Sequence, residues 1–257
     1  MEKSFKIYMA TVLLDRNRWT EERNPSVKVS NWLERFSADG FDGLELWSFH
    51  ATYASEEEQA RLEQSALPIR LFNSYACFDR EDSAQETDVV AAIRFGARGI
   101  KYNIGSDPAL RKTYLKQLAA WRERVPQNIQ LLCECHPGTI IEQPVAARAF
   151  FDELGMDGHG IIVHPFSRFD SLEEWLDLFG PDVMHAHMQM TDESGKLIRF
   201  DKRSDLAEQA IRIMQKKGYC GSYSLEFTEG VAAPGETPEM LYENARKDLS
   251  LLRSLLA

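Results

Sequence analysis

The chain of 257 residues is poor in positive charge: 30 Lys and Arg stand against 40 Asp and Glu, a formal net charge of −10. Such a surface repels phosphate backbones, which argues against a nucleic-acid partner. No uninterrupted apolar run reaches membrane-spanning length, so no membrane partner is expected. Cysteine is sparse. Cys77, Cys133, Cys135 and Cys220 are scattered, which fits reduced thiols in a cytoplasmic protein rather than a disulfide framework. No Gly-x-Gly-x-x-Gly loop follows the first apolar segment, which counts against a doubly wound dinucleotide-binding sheet. Pro/Ser-rich linkers, low-complexity tracts and internal repeats are also missing, so residues 1–257 read as one domain. The opening stretch, MEKSFKIYMATVLL, is too short and too mixed for a signal peptide and reads as the first strand.

What is present is regular alternation. Eight short apolar segments, KIYMATVLL, GLELW, IRLFNSY, GIKYNIG, IQLLCECH, GIIVHPF, VMHAHMQM and SYSLEF, are separated by amphipathic stretches. Ser55/Glu58, Ser83/Glu86 and Ser171/Glu174 have capping-box spacing, and Thr237-Pro238 offers a cap with a preset first turn. Leu241, Ala245, Leu252 and Leu255 recur on one face of the last helical segment. Gly40, Gly96, Gly155 and Gly218 fall where helices must stop. Eight β–α units with short loops predict an α/β fold, a single (β/α)8 TIM barrel.

Period-two alternation then sorts the strand side chains. Leu132, Glu134 and His136 share one face, opposite Leu131, Cys133 and Cys135; His185, His187 and Gln189 share another, opposite Met184, Ala186 and Met188. Glu134, His164, His187 and Glu226 end the last four strands, so barrel closure brings them to one mouth, the face where active sites of such barrels lie. Titratable groups inside a barrel are costly unless paired or metal-bound. Two carboxylates and two imidazoles suit one divalent cation, with Mn²⁺, Zn²⁺, Co²⁺ or Fe²⁺ favoured over Mg²⁺, which prefers oxygen alone. The alternative is a metal-free hydrogen-bonded network. His159, in GMDGHG, reads as a surface residue.

The segments GFDGLELW, LLCECHPGT, HAHMQM and GYCGSYSLEF resemble the xylose-isomerase-like TIM barrels, the sugar-phosphate isomerases and epimerases whose group includes endonuclease IV. The resemblance spans nearly the whole chain. It implies a mononuclear site with a Glu on strand five, an Asp on strand six, a His on strand seven and a Glu on strand eight. These positions fall on Glu134, His164, His187 and Glu226. His164 departs from the usual Asp and removes a negative charge. Met190 stands where an Asp is expected three residues after His187. The third strand ends in LFNSY without the further histidines of endonuclease IV, which argues against DNA repair.

The implied chemistry is isomerisation or epimerisation of a sugar, keto sugar or sugar phosphate through an enediolate, with Glu134 and Glu226 as both metal ligands and acid/base groups. Substrate contacts are expected from Glu45, His50, Lys101, His136, His185 and Arg199. Within that set, Glu45 either binds a hydroxyl or pairs with Lys101, and His136 is a candidate to orient a ligand. Trp47, Phe72 and Phe166 are candidate aromatic walls. The partner is a small-molecule carbohydrate, and a homo-oligomer is left open. Two other readings share the residues: a keto-cyclitol (inosose-type) dehydratase, and a non-catalytic binding barrel with a decayed metal site.

Overall fold

The computed structural model describes residues 5–257; the reading of residues 1–4 as a lead into the first strand lies outside them. Eight parallel strands close into a barrel: β1 (Ile7–Ala10), β2 (Gly43–Trp47), β3 (Ile69–Asn73), β4 (Gly99–Tyr102), β5 (Gln130–Glu134), β6 (His159–Val163), β7 (Val183–Met188) and, after a hairpin of β8 (Met190–Thr191) and β9 (Leu197–Ile198), β10 (Ser222–Leu225). The order round the barrel is β1-β10-β7-β6-β5-β4-β3-β2, so the last strand pairs with the first. Helices surround it: α1 (Leu33–Ala38), α2 (Ser48–Thr52), α3 (Glu56–Glu63), α4 (Ala84–Arg94), α5 (Arg111–Arg124), α6 (Pro144–Leu154), α7 (Phe169–Phe179), α8 (Ser204–Lys216) and α9 (Pro238–Leu256). The expected (β/α)8 barrel is what the chain forms.

The apolar core lies mainly between strands and helices, where Leu131, Cys133, Cys135, Ala186 and Met188 meet the helical faces. A smaller plug of Tyr8, Leu71, Leu132 and Ile162 fills the barrel interior below the mouth. Met184 joins that plug instead of the helix side on which alternation put it. The β6–β7 register shifts at Ile161/Ile162, where Ile161 pairs with Val183 and Ile162 with His185, so Met184 is the extra residue of a bulge. Gly221 makes room for it: a Cβ there would stand 2.2 Å from the Met184 carbonyl oxygen.

Local signals fare unevenly. The apolar run expected as one strand over 6–14 leaves the sheet after Ala10 and continues as a buried 3-10 turn, Thr11–Leu14. Hydrophobicity marks burial there, and either conformation satisfies it. Ser55 caps α3 by accepting from the Glu58 amide, but the Glu58 carboxylate reaches Ser30 instead of closing the box. Ser83 makes no side-chain cap; Asp82 accepts from Ala84 N in its place. Ser171 lies inside α7, which starts at Phe169. Thr237 caps α9 as its spacing predicts. Gly155 and Gly218 follow α6 and α8 with φ of 90° and 77°, a region that side chains with a Cβ avoid.

The loop after β1 is fastened at both ends. Asp15 bonds His50 Nε2 at 3.0 Å, and Arg18, buried, pairs with Glu236 at 2.7 Å in the loop before α9 while donating to the carbonyls of Val12 and Leu13.

His159 is buried, not on the surface. It opens β6, bonds the Tyr102 hydroxyl at 3.0 Å and packs on Phe151. The flanking glycines made it look like loop. Burial, with Arg122 close by, pushes its imidazole down to about 4. An unfolded histidine titrates near 6.5, so between these values the unfolded chain binds the extra proton. This contribution is therefore present above about pH 6.5 and is lost as pH falls through about 4, on the order of 3 kcal/mol. Denaturant unfolding between pH 8 and pH 4 should show that loss, and His159→Gln should flatten it.

Candidate metal centre at the barrel mouth

Glu134 ends β5, His164 directly follows β6, His187 lies near the end of β7 and Glu226 directly follows β10. Parallel strands place these ends on one rim, and all four side chains are buried there. One donor atom from each lies within 4.8 Å of every other. Glu134 Oε1 is 3.0 Å from His164 Nε2 and 3.5 Å from His187 Nδ1, and Glu226 Oε1 is 3.3 Å from His187 Nδ1. These approaches are close but poorly aligned. His164 Nε2, His187 Nδ1 and Glu226 Oε2 each lack a hydrogen-bond partner. Buried polar atoms are normally satisfied, so three orphans in one cluster fit donors arranged around a cation.

The far sides of both rings are engaged. His187 Nε2 is 3.1 Å from Glu45 Oε2, and His164 Nδ1 is 3.1 Å from the Gln189 carboxamide. On the other flank Lys101 Nζ lies 2.7 Å from Glu134 Oε2 and 2.6 Å from Asn103 Oδ1, 5.1 Å from the Tyr75 ring centre. Asn103 Nδ2 donates to the same Glu134 oxygen at 3.0 Å.

Charge follows from this wiring. Burial alone would raise the Glu134 carboxyl, but the Lys101 ammonium, with the His164 and His187 rings close by, holds it well below the usual range. Glu45 behaves alike: burial opposes, while the His187 charge and hydrogen bond, with the His185 ring close by, prevail. Burial disfavours the His187 imidazolium, yet Glu226 and Glu45 raise its pKa well above the ordinary value. Lys101 is raised despite burial, chiefly by Glu134. Once an ion displaces the His187 proton, Glu45, Glu134 and Glu226 against Lys101 leave a formal charge of −2, which one divalent cation cancels. The donor set and the orphaned atoms thus fit a borderline divalent ion.

A cavity of about 330 Å³ opens above the cluster. Glu134, Glu226, Lys101, Asn103 and Gln189 form its polar lining; Trp19, Tyr75 and Phe227 supply aromatic surface, and His136 and Thr139 lie at the β5–α6 loop. Of the expected substrate contacts, Lys101 and His136 line this cavity and four others do not. Glu45 is fully buried beneath His187 and pairs with it instead of Lys101. His185 is equally buried, with Nδ1 on Ser222 Oγ and Nε2 on Ser224 Oγ. His50 is held between Thr11 and Asp15. Arg199 pairs with Asp201 and Glu229. His136, expected to orient a ligand, instead turns Nδ1 to the Pro137 carbonyl. Trp47, Phe72 and Phe166 are core. The aromatic wall that sequence reasoning missed, Trp19, Tyr75 and Phe227, sits in loops and just past strand ends, where no periodicity points. Gln189 could have been found: it shares the His187 face. Met190, at the position of the expected Asp, is packed in the core.

No protein-family model matches the chain, and no curated protein matches it. Solved structures do. A probable 3-DHS dehydratase, AsbF, from Bacillus anthracis superposes with a TM-score of 0.72 at 14% identity over 96% of this chain and 98% of that one. D-Psicose 3-epimerase from Clostridium cellulolyticum H10, determined with D-tagatose, gives 0.72 at 12% identity over 98% and 99%. A xylose-isomerase-like TIM barrel protein from Mycobacterium smegmatis, in complex with magnesium, gives 0.63 at 17% identity over 99% and 98%. The chain therefore shares its (β/α)8 barrel fold with these proteins.

The Lys101–Glu134 pair is the buried link between the cavity wall and the cluster. Lys101→Met should lower the unfolding free energy by about 3–5 kcal/mol, because it strands a buried carboxylate. Adding Glu134→Gln should cost less than the sum of the two single changes, as read by denaturant titration.

Proposed function

We propose that this protein is a divalent-metal-dependent isomerase or epimerase of a sugar, keto sugar or sugar phosphate, working through an enediolate. The observation that carries the reading is the convergence of two carboxylates and two imidazoles, three of their atoms unpartnered, on the floor of a polar cavity. Glu134, His164, His187 and Glu226 would hold the ion, which when bound supplies Lewis-acid stabilisation of the charge that develops on substrate oxygen.

The two carboxylates are not equivalent. Glu134 Oε2 is held by Lys101 and Asn103, whereas Glu226 has no ammonium beside it and keeps Oε2 without a partner at the cavity. Glu226 is therefore the base. It takes the proton from the carbon next to the carbonyl, and the C–H electron pair becomes the C=C bond of the enediolate while the carbonyl π pair moves to oxygen. Lys101 and Asn103 hold Glu134 in place and offer N–H donors to substrate oxygens. Return of a proton from Glu226 to the neighbouring carbon, with the hydroxyl proton there passing to the former carbonyl oxygen as the new C=O forms, completes an isomerisation. Delivery of a proton to the other face of the same carbon by Glu134, which takes it from the Lys101 ammonium 2.7 Å away, completes an epimerisation, and Glu226 and Lys101 then reset by proton exchange with solvent. The Trp19–Tyr75–Phe227 surface suits the apolar face of a sugar ring.

The test is incubation of the protein, supplied with Mn²⁺, Co²⁺ or Zn²⁺, with a panel of keto sugars in D₂O. Deuterium gain without loss of water is the expected result; loss of water identifies a dehydratase, and no reaction with no retained metal identifies a decayed binding barrel. Glu226→Gln should reduce exchange at least 100-fold, with circular dichroism unchanged. His164→Asp, which restores a hard, charged donor, should shift the retained metal toward Mg²⁺ and Mn²⁺ in elemental analysis after dialysis.

A further inference from the structure

The residue that decides which nitrogen His187 turns to the mouth lies outside the ligand set. We propose that Glu45 is a positioning residue that locks the His187 ring with Nε2 protonated and Nδ1 presented to the cation. The proposal rests on the reading of the mouth as a metal centre.

Glu45 sits in β2, across the barrel from β7 and beneath the cluster, with no exposed surface. Its Oε1 accepts from Asn73 Nδ2 at 2.9 Å, which fixes the carboxylate plane. Its Oε2 lies 3.1 Å from His187 Nε2. An ionised carboxylate has only lone pairs to offer, so Nε2 must be the nitrogen that carries hydrogen. When an ion displaces the other ring proton, the lone pair is left on Nδ1, which has no hydrogen-bond partner and faces Glu134 at 3.5 Å and Glu226 at 3.3 Å. The rings of His164 and His185 stand nearly perpendicular to that of His187, each with its centre 5.4 Å away, and hinder a flip. His185 cannot take over the task of Glu45, because both of its nitrogens are bonded to serine hydroxyls. An anion behind a ligating imidazole fixes its tautomer and raises its basicity, and loss of such a partner typically costs 10- to 100-fold in metal affinity.

A competing arrangement uses the same atoms. Donor atoms of Glu45, His185 and His187 also lie within 4.8 Å of one another. A second cation there would require His187 to lose both ring protons and bridge two ions.

Two measurements decide. Zinc is titrated calorimetrically into metal-free wild type and Glu45→Gln, whose carboxamide keeps the shape but not the charge; metal-free melting curves report folding. One equivalent in wild type, bound 10- to 100-fold more weakly by the variant, is expected. Equal affinity, or two equivalents in wild type, overturns the proposal. Wild type that binds no zinc overturns the metal reading itself, and is seen before any variant is made. Long-range ¹H–¹⁵N correlation of zinc-loaded wild type should show His187 protonated at Nε2 and coordinated through Nδ1; the reverse assignment overturns the proposal even where Glu45→Gln does not fold.

Discussion

The cost of burying charge organises this molecule. Three carboxylates, an ammonium and three imidazoles occupy the interior near the barrel mouth, where an unpaired ion is expensive. Each is tolerated because a neighbour on another strand supplies the opposite charge or a hydrogen bond: Lys101 from β4 for Glu134, His187 from β7 for Glu45, serines from β10 for His185. The pairings cross the barrel as well as run around it. They therefore do what the apolar plug below cannot do, which is to set one arrangement of strand ends. Of the atoms left without a partner, those of His164, His187 and Glu226 gather in one cluster at the mouth.

Much of this was legible in the chain. Alternation along β5 and β7 put Glu134 and His187 inside, and the spacing of apolar segments gave a count of eight. The gathering of Glu134, His164, His187 and Glu226 follows from closure of a parallel barrel, since each lies within one residue of a strand end. Sequence reasoning failed where depth matters. Glu45 and His185 lie on inward faces, as alternation required, yet strand position does not tell how far below the rim a side chain ends, and both are sealed from the cavity; His50, in α2, is buried against Thr11 and Asp15. The bulge at Met184 left no mark in composition; only the absence of a Cβ at Gly221 records it.

Loops were the other blind region. Arg199 pairs locally with Asp201 two residues on, a contact with no bearing on the mouth. Trp19 reaches the cavity because Arg18 beside it is buried and tied to Glu236, 218 residues later in the chain. No pattern short of the folded barrel relates those two residues. The same holds for the Lys101 partner: both Glu45 and Glu134 face inward, and only the register of β4 against β5 selects Glu134.

Strand order has a consequence for biosynthesis. β10 is the last strand made, and it is the piece that joins β1 to β7. It also carries Glu226, while Glu45 comes from β2 near the start. A nascent chain that has emerged as far as β7 therefore holds an open sheet with one donor missing. The four donor ends of the mouth are gathered only when the ring shuts.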